Sequence, residues 1–273
     1  MTAEHQGTSR MERDVELLWG LRQPESRRGP KPRLSREAVV EAAVALADAE
    51  GLEAVSMQRV AKELGYTTMS LYRYVDSKED MLVLMSDAAM DGDPPPPRED
   101  VDWRTGVEEW VRGLVAMYRR HPWAVYLSLN GPPSGPNGLR WMESGLREVS
   151  RSGLDLGWSL QMLTMLSAVL RETVRIELDI SRAARAAGGT MADTGRDYSR
   201  GLRRVVTAEG FPTIDRLLRE GVLEESPDTP REDAGGPAED LDFSIRRILD
   251  GIEVYVERQR AQEKPEGPAG AGE

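Results

Sequence analysis

Helical periodicity is the feature that most constrains what this chain can fold into. Along residues 36–50, apolar side chains recur at i, i+3, i+4 and i+7, which places them on one face of a helix. These side chains are Val40, Ala43, Val44 and Ala47. Similar spacing recurs in later segments, and no run alternates apolar and polar residues for long, so strand signals are weak. The sequence therefore predicts an all-α fold.

Capping residues mark the ends of the first predicted helices. Each helix follows a Ser or Thr whose hydroxyl can accept from the free N–H groups of the first turn. The predicted pairs are Ser35 with 36–50, Ser56 with 57–64, Thr67 with 68–74 and Ser77 with 78–90. Asp80 stands three residues after Ser77, as in a capping box. Gly51 and Gly65 follow the first two helices as C-terminal stops.

Four consecutive prolines interrupt the helical pattern within 91–102. Such a run cannot continue a helix and forms a stiff spacer, so we expect a domain boundary there. Further helices are predicted over 103–120, 122–129, 137–151, 157–187, 209–222 and 241–260, and a short amphipathic helix over 11–21 that packs on the protein's own surface. Residues 188–200 and 223–240 are predicted to be loops, and residues 262–273 a disordered tail.

Composition excludes several classes of protein. The 273-residue chain has no cysteine and two histidines, so a disulfide scaffold, a thiolate metal site and a His-rich metal site are excluded. No apolar stretch approaches the roughly 18 residues of a membrane span, and the first residues lack the apolar core of a signal peptide. We find no glycine-rich phosphate loop and no Ser-His-Asp set. We therefore expect a cytoplasmic protein that is not an enzyme and holds no metal or cofactor.

Charge is distributed unevenly. The chain carries a formal net charge of −11, yet the segment 27–36 holds five basic residues and no acidic one. Pro30 and Pro32 favour an extended conformation for this basic arm. A solvated linker would have the same composition, so the arm alone does not identify a partner.

Residues 56–78 fit two short helices joined by a tight turn. Ala61 is small where the helices must approach, and Gly65 stands where the turn can require a positive φ. The predicted apolar contacts between the helices are Val60, Leu64 and Leu71. This spacing fits a helix-turn-helix, and it equally fits an ordinary αα-hairpin.

The segment 34–90 resembles a known protein family. The run VSMQRVAKELGYTTMSLYRYVDSKEDML, with the preceding AVVEAAVALADAEGLEA, is similar to the DNA-binding domain of TetR-family transcriptional regulators. The segments ELLWGLR at 16–22 and DWR…YRRHPW…GPNGL at 102–139 resemble an actinomycete branch with a tetracycline-repressor-like C-terminal domain. The resemblance implies an N-terminal extension over 1–33, a helix-turn-helix domain over 34–90 and a ligand-binding and dimerisation domain over 103–261.

The resemblance also implies which residues meet DNA. Its third helix lies in the major groove, where Arg73 could read guanine or contact a phosphate. Tyr72 and Lys78 are expected at phosphates, and the basic arm could follow the minor groove. Met69 departs from the proline that is often found there, so base preference cannot be transferred. The full expected set is Arg27, Arg28, Lys31, Arg33, Met57, Gln58, Thr68, Met69, Ser70, Tyr72, Arg73, Tyr74 and Lys78.

The second domain is expected to hold a small hydrophobic effector and a homodimer contact. Large adaptable side chains suit a roomy pocket, although each alone also suits an ordinary core. The candidate ligand residues are Met117, His121, Trp123, Tyr126, Trp141, Met142, Trp158, Met162 and Met165. The apolar faces of 157–187 and 241–260 fit the dimer contact that the resemblance implies, or a monomer core.

The resemblance therefore predicts a repressor that a small molecule releases from a pseudo-palindromic double-stranded DNA operator. An activator or a ligand-independent DNA-binding protein is the alternative. A helical protein-interaction module is a further alternative, and it predicts no salt-dependent affinity for DNA.

Overall fold

The computed structural model describes residues 9–21, 34–127, 131–224 and 237–263. These residues form α-helices and short 3₁₀ turns without any strand, which confirms the all-α prediction. Four predicted DNA-contacting residues, Arg27, Arg28, Lys31 and Arg33, lie outside the described residues. No helix within the described ranges is both long and apolar enough to cross a bilayer.

The described residues contain eleven α-helices, numbered here in chain order. The first five are α1 (Arg10–Leu18), α2 (Arg36–Glu50), α3 (Met57–Leu64), α4 (Thr68–Leu71) and α5 (Lys78–Ala88). The next three are α6 (Trp103–Arg120), α7 (Pro136–Ser150) and α8 (Leu156–Ala186). The last three are α9 (Met191–Leu202), α10 (Pro212–Arg219) and α11 (Pro237–Glu263). Short 3₁₀ turns lie at Leu52–Ala54 and Pro122–Tyr126.

The chain divides into two compact units, Met1–Leu163 and Thr164–Glu273. The helical break predicted at 91–102 is confirmed, since α5 ends at Ala88 and α6 begins at Trp103. The compact division falls at a different place, within α8. The functional division into a DNA-binding and an effector domain therefore stays a prediction.

The first helices begin at the predicted caps. Ser35, Ser56 and Ser77 each accept a backbone N–H three residues on. Thr67 occupies its predicted cap position, but its hydroxyl bonds the Ser70 hydroxyl at 2.9 Å instead of a backbone N–H. Helix α4 is shorter than predicted, because residues 72–74 form turns instead of continuing it.

The core of the first unit lies mainly where the periodicity predicts it. Within α2, Val40, Ala43 and Ala47 are buried as expected, and Val44 is half-buried. Val39 and Leu46 are also buried, so the buried face extends beyond the predicted one. Helices α3, α4 and α5 bury further apolar side chains, including Val60, Leu71, Met81 and Met85.

The prediction of a loop over 188–200 is wrong, because helix α9 occupies 191–202. Thr190 and Asp193 form a reciprocal capping box at its start, which overrides the helix-weakening glycines. Gly195 packs so closely on the backbone of Leu223 that a Cβ there would collide with the Leu223 carbonyl. The glycine is therefore needed for a close approach.

The predicted bounds of the loop over 223–240 and of the disordered tail over 262–273 also differ from the structure. Helix α11 begins at Pro237 and continues to Glu263, and the rest of both segments lies outside the described residues. In the second unit, buried residues recur along α11 about every four positions, at Leu241, Ile245, Leu249, Ile252 and Val256. A 3.6-residue period produces such a face.

Candidate nucleic-acid interface

A rigid turn joins α3 to α4. Gly65 ends α3 with a φ of 74°, the left-handed conformation that glycine adopts without strain. The Gly65 N–H donates to the Lys62 carbonyl at 3.1 Å and the Tyr66 N–H to the Ala61 carbonyl at 2.9 Å. These bonds satisfy carbonyls at the end of α3 and fix the direction in which α4 leaves.

Helix α4, which follows this turn, buries one side and exposes the other. Leu71 is fully buried and holds α4 against the core. On the opposite side Met69 is 74% exposed, and Tyr72 and Arg73 are also exposed. The predicted contacts Thr68, Ser70 and Tyr74 are half-buried. Met69 on the outer surface of α4, with Tyr72 and Arg73 in the turn that follows it, therefore offers an apolar side chain, a phenol and a guanidinium close together along the chain.

Two cations at this surface are available for an anionic partner. Arg73 and Lys78 are both exposed, and neither forms an ion pair with another described residue. Lys78 is the first residue of α5, directly after the turn that follows α4. An unpaired guanidinium can donate to a phosphate or, in a bidentate manner, to guanine.

Two predicted contacts at the start of α3 differ in exposure. Gln58 is exposed, as a contact with DNA requires. Met57 is 6% exposed and belongs to the core, so its side chain does not face a partner as predicted. The helical pattern explains the difference, because Met57 shares the buried face of α3 with Val60 and Ala61. Arg59, which sequence analysis did not select, is exposed there and pairs with Glu50 at 2.5 Å.

Helix α2 is joined by polar contacts to the turn after α6. One carboxylate oxygen of Asp48 lies 2.8 Å from His121 Nδ1 and accepts the Trp123 indole N–H at 2.6 Å. His121 and Trp123 are buried, and His121 also ends α6. Both residues therefore join α2 to the turn after α6, although the sequence predicted them in a ligand pocket.

Helix α1 forms a second joint. Arg36, at the start of α2, donates to the Leu17 carbonyl at 2.8 Å. The Trp19 indole N–H donates to the Ser134 carbonyl at 2.9 Å. Helix α1 also packs on α5, as the predicted amphipathic helix over 11–21 was expected to pack on the protein's own surface. It thus connects α2, α5 and the loop before α7.

A third joint connects α5 to α7. Helix α7 begins after Gly135 without a capping side chain of its own. The carboxylate of Asp87 replaces the cap: it accepts the Gly138 N–H at 2.8 Å and the Asn137 N–H at 3.3 Å. Burial raises the pKa of Asp87, and the two N–H donors oppose that rise. A Cβ at Gly135 would collide with the Asp87 side chain, so this close approach requires glycine there.

The proline-rich segment is anchored to α7 rather than free. The Pro95 carbonyl accepts from Ser144 Oγ at 3.1 Å and from Arg147 at 3.3 Å. The Trp141 indole N–H donates to the Met90 carbonyl at 3.1 Å. The segment therefore holds α5 and α7 together within the first unit.

The predicted ligand residues are not gathered around one described cavity. Met117, His121, Trp123 and Trp141 are buried, Tyr126, Met142 and Met162 are half-buried, and Trp158 and Met165 are exposed. A cavity of about 450 Å³ in the first unit is lined by Tyr126 from this set, together with residues of α1, α5 and the loop before α7. No group of three or more His, Asp or Glu side chains within the described ranges could hold a metal ion.

The sequence did not indicate the residues that form these polar contacts between helices, above all Asp48 and Asp87. Their partners are 73 and 50 or more residues away, beyond any helical period. One signal was present for Asp87: the residue at the N-cap position of α7 is Gly135, which has no side chain that could cap the helix. An uncapped helix start calls for a partner from elsewhere in the chain.

Comparisons with known proteins agree with this geometry. Residues 39–85 match the family described as "Bacterial regulatory proteins, tetR family", and residues 95–256 match "Tetracyclin repressor-like, C-terminal domain". The chain is 37% identical over 266 residues to the HTH-type transcriptional repressor DrrR1 of Streptomyces coeruleorubidus, covering 97% of this chain and 93% of that one.

Solved structures show the same fold. The TetR family protein ActR from Streptomyces coelicolor in complex with actinorhodin has a TM-score of 0.65 and 26% identity, covering 82% of this chain and 96% of that one. Apo ActR has a TM-score of 0.64 and 23% identity, covering 84% and 100%. The matched family and relatives are transcriptional regulators, not enzymes. This chain therefore belongs to the TetR family of DNA-binding transcriptional regulators.

Proposed function

We propose that this chain is a homodimeric repressor that binds a pseudo-palindromic operator through α4 and is released by a small hydrophobic effector. The nearly full-length similarity to a repressor supports the direction of regulation. The ligand complex of ActR supports an effector, because that related structure holds a small molecule.

The observation that carries the proposal is the outer surface of α4. Leu71 anchors the helix, while Met69, Tyr72 and Arg73 face away from the core. Arg73 and Lys78 supply positive charge in a chain of net charge −11. Positive charge concentrated at a helix-turn-helix, in an otherwise acidic protein, favours a DNA contact confined to this surface.

Exposed apolar side chains support dimerisation. On α8 these include Ile176 and Ile180, and on α11 Phe243, Val254 and Tyr255. Large apolar side chains exposed on two long helices suit an interface between identical chains. A two-fold dimer presents two copies of α4 to half-sites about one helical turn of DNA, or a multiple of it, apart.

The three polar joints support coupling between effector and DNA. Asp48 connects α2 to the turn after α6, Arg36 connects α2 to α1, and Asp87 connects α5 to α7. An effector that favours one arrangement of these helices shifts the population of chains whose α4 helices match the operator.

Selection of bound fragments from the DNA of the source organism, at two salt concentrations, tests the proposal. Enrichment of one inverted repeat, with affinity that falls as salt rises, is the expected result. A folded, ligand-free protein that enriches no sequence would contradict it and favour a protein-interaction module. Deletion of the gene separates repressor from activator: target transcripts rise if the chain represses and fall if it activates.

A further inference from the structure

Helix α1 covers a cavity. Among the predicted ligand residues, Tyr126 alone lines it. The cavity measures about 450 Å³, within the range of small-molecule sites. Leu18 of α1 and Leu82 and Val83 of α5 form its apolar walls, and the buried Leu127 and Gly138 lie deeper. All of these elements belong to the first compact unit.

Charge at the cavity is predominantly negative. Asp14 of α1 and Glu79 and Asp87 of α5 contribute three carboxylates, against one guanidinium from Arg10. Neither Asp14 nor Glu79 forms an ion pair with another described residue. Burial is the main cause that raises the pKa of the neighbouring Asp80, and the charges of Asp14 and Glu79 raise it further. Asp14 of α1 thus lies close enough to Asp80 of α5 for their charges to interact.

We propose that this cavity binds an apolar organic cation and is the site at which α1 senses an effector. The proposal rests on the proposed function and adds to it the location and the charge of the ligand. The apolar walls take the body of the ligand, and the carboxylates of Asp14, Glu79 and Asp87 attract its cationic group.

The covering helix connects the cavity to the DNA-binding helices. Arg36 of α2 donates to the Leu17 carbonyl, and the Trp19 indole N–H donates to the Ser134 carbonyl. The C-terminal end of α1 is therefore bonded both to α2 and to the loop before α7. Ser134 itself lines the cavity. A ligand that displaces α1 therefore acts directly on the contact with Arg36 and on the environment of Trp19.

The test compares two probes of the same shape and opposite charge, tetraphenylphosphonium and tetraphenylborate, by calorimetry with the full chain. We expect tetraphenylphosphonium to bind and to change tryptophan fluorescence, and tetraphenylborate to bind at least tenfold more weakly. The double variant Asp14→Asn, Glu79→Gln should weaken binding of the cation about fourfold, because each carboxylate contributes a factor of about two. The matched control Glu63→Gln, Glu99→Gln, which changes two exposed carboxylates that do not line the cavity, should leave the affinity unchanged.

Variants whose larger side chains fill the cavity provide a second test of the proposal. Val83→Trp should reduce tetraphenylphosphonium binding at least tenfold, whereas Ala116→Trp on the exposed side of α6 should not. Ser86→Phe serves the same purpose if Val83→Trp lowers the melting temperature. Equal binding of the two probes, or wild-type binding by a folded cavity-filled variant, would overturn the proposal.

Operator binding is measured separately on the same proteins. Loss of probe binding in a cavity-filled variant that still binds operator supports the site. A wild-type chain that binds operator but not tetraphenylphosphonium overturns the site and leaves the proposed function intact. A wild-type chain that binds the probe but no DNA supports the cavity as a ligand site and contradicts the regulator.

Discussion

Asp87→Ala tests whether the joint between α5 and α7 stabilises the first unit. The substitution removes the acceptor of the Gly138 and Asn137 N–H groups, at 2.8 and 3.3 Å, and leaves the start of α7 uncapped. Loss of a helix cap costs about 0.5–2 kcal/mol and an unsatisfied buried donor about 1–3 kcal/mol. Removing a buried carboxylate whose pKa is raised offsets part of this loss. We therefore expect a net destabilisation of about 2 kcal/mol, or a melting temperature lower by about 4–8 °C.

Thermal unfolding followed by circular dichroism measures this change. Asp93→Ala is the matched control, because its side chain is 94% exposed and lies 3.5 Å from Arg140, a contact worth about 0–0.5 kcal/mol. Asp87→Asn should fall between the two, since an amide retains one acceptor oxygen. Equal melting temperatures for Asp87→Ala and Asp93→Ala, with unchanged hydrogen-exchange protection at Gly138, would refute the argument.

Three further substitutions test other parts of the account. Arg73→Ala should lower operator affinity about tenfold with an unchanged melting temperature, as measured by fluorescence anisotropy and thermal unfolding; unchanged affinity would remove Arg73 from the contact surface. Asp48→Ala should lower the melting temperature by several degrees, about 1–3 kcal/mol, because the buried Trp123 N–H loses its acceptor; a stability equal to wild type would show that this joint is dispensable. Bonds from Thr190 and Arg196 lower the pKa of Asp193 from 3.8 to about 2, so its contribution to stability is present above pH 4 and disappears as the pH falls towards 2. The difference in melting temperature between wild type and Asp193→Asn should shrink over that interval, and a constant difference would contradict the assignment.

Local signals in the sequence were sufficient for most helices of the first unit. Ser35, Ser56 and Ser77 act as caps, and Gly65 adopts the left-handed conformation that its position in the turn requires. These features depend on residues within one turn of each other, so they can be read without knowledge of the fold. The loop prediction over 188–200 was wrong because glycine content outweighed the capping box of Thr190 and Asp193.

Long-range contacts could not be predicted in this way. Asp48 and Asp87 look like ordinary surface carboxylates on helices, and their roles depend on partners brought close by folding. Met57 was expected at DNA from its position at the start of α3, yet burial against the core removes it. The cavity under α1 is lined by four separate segments of the chain, so no single stretch of sequence indicates it.

The mass of the protein–operator complex tests the central claim most directly. Sedimentation of the full chain with the selected inverted repeat should give two chains, or a multiple of two, per duplex. Disruption of one half-site should then reduce affinity sharply, because both copies of α4 engage the operator together. One chain per duplex, with affinity unaffected by loss of a half-site, would contradict a dimeric regulator.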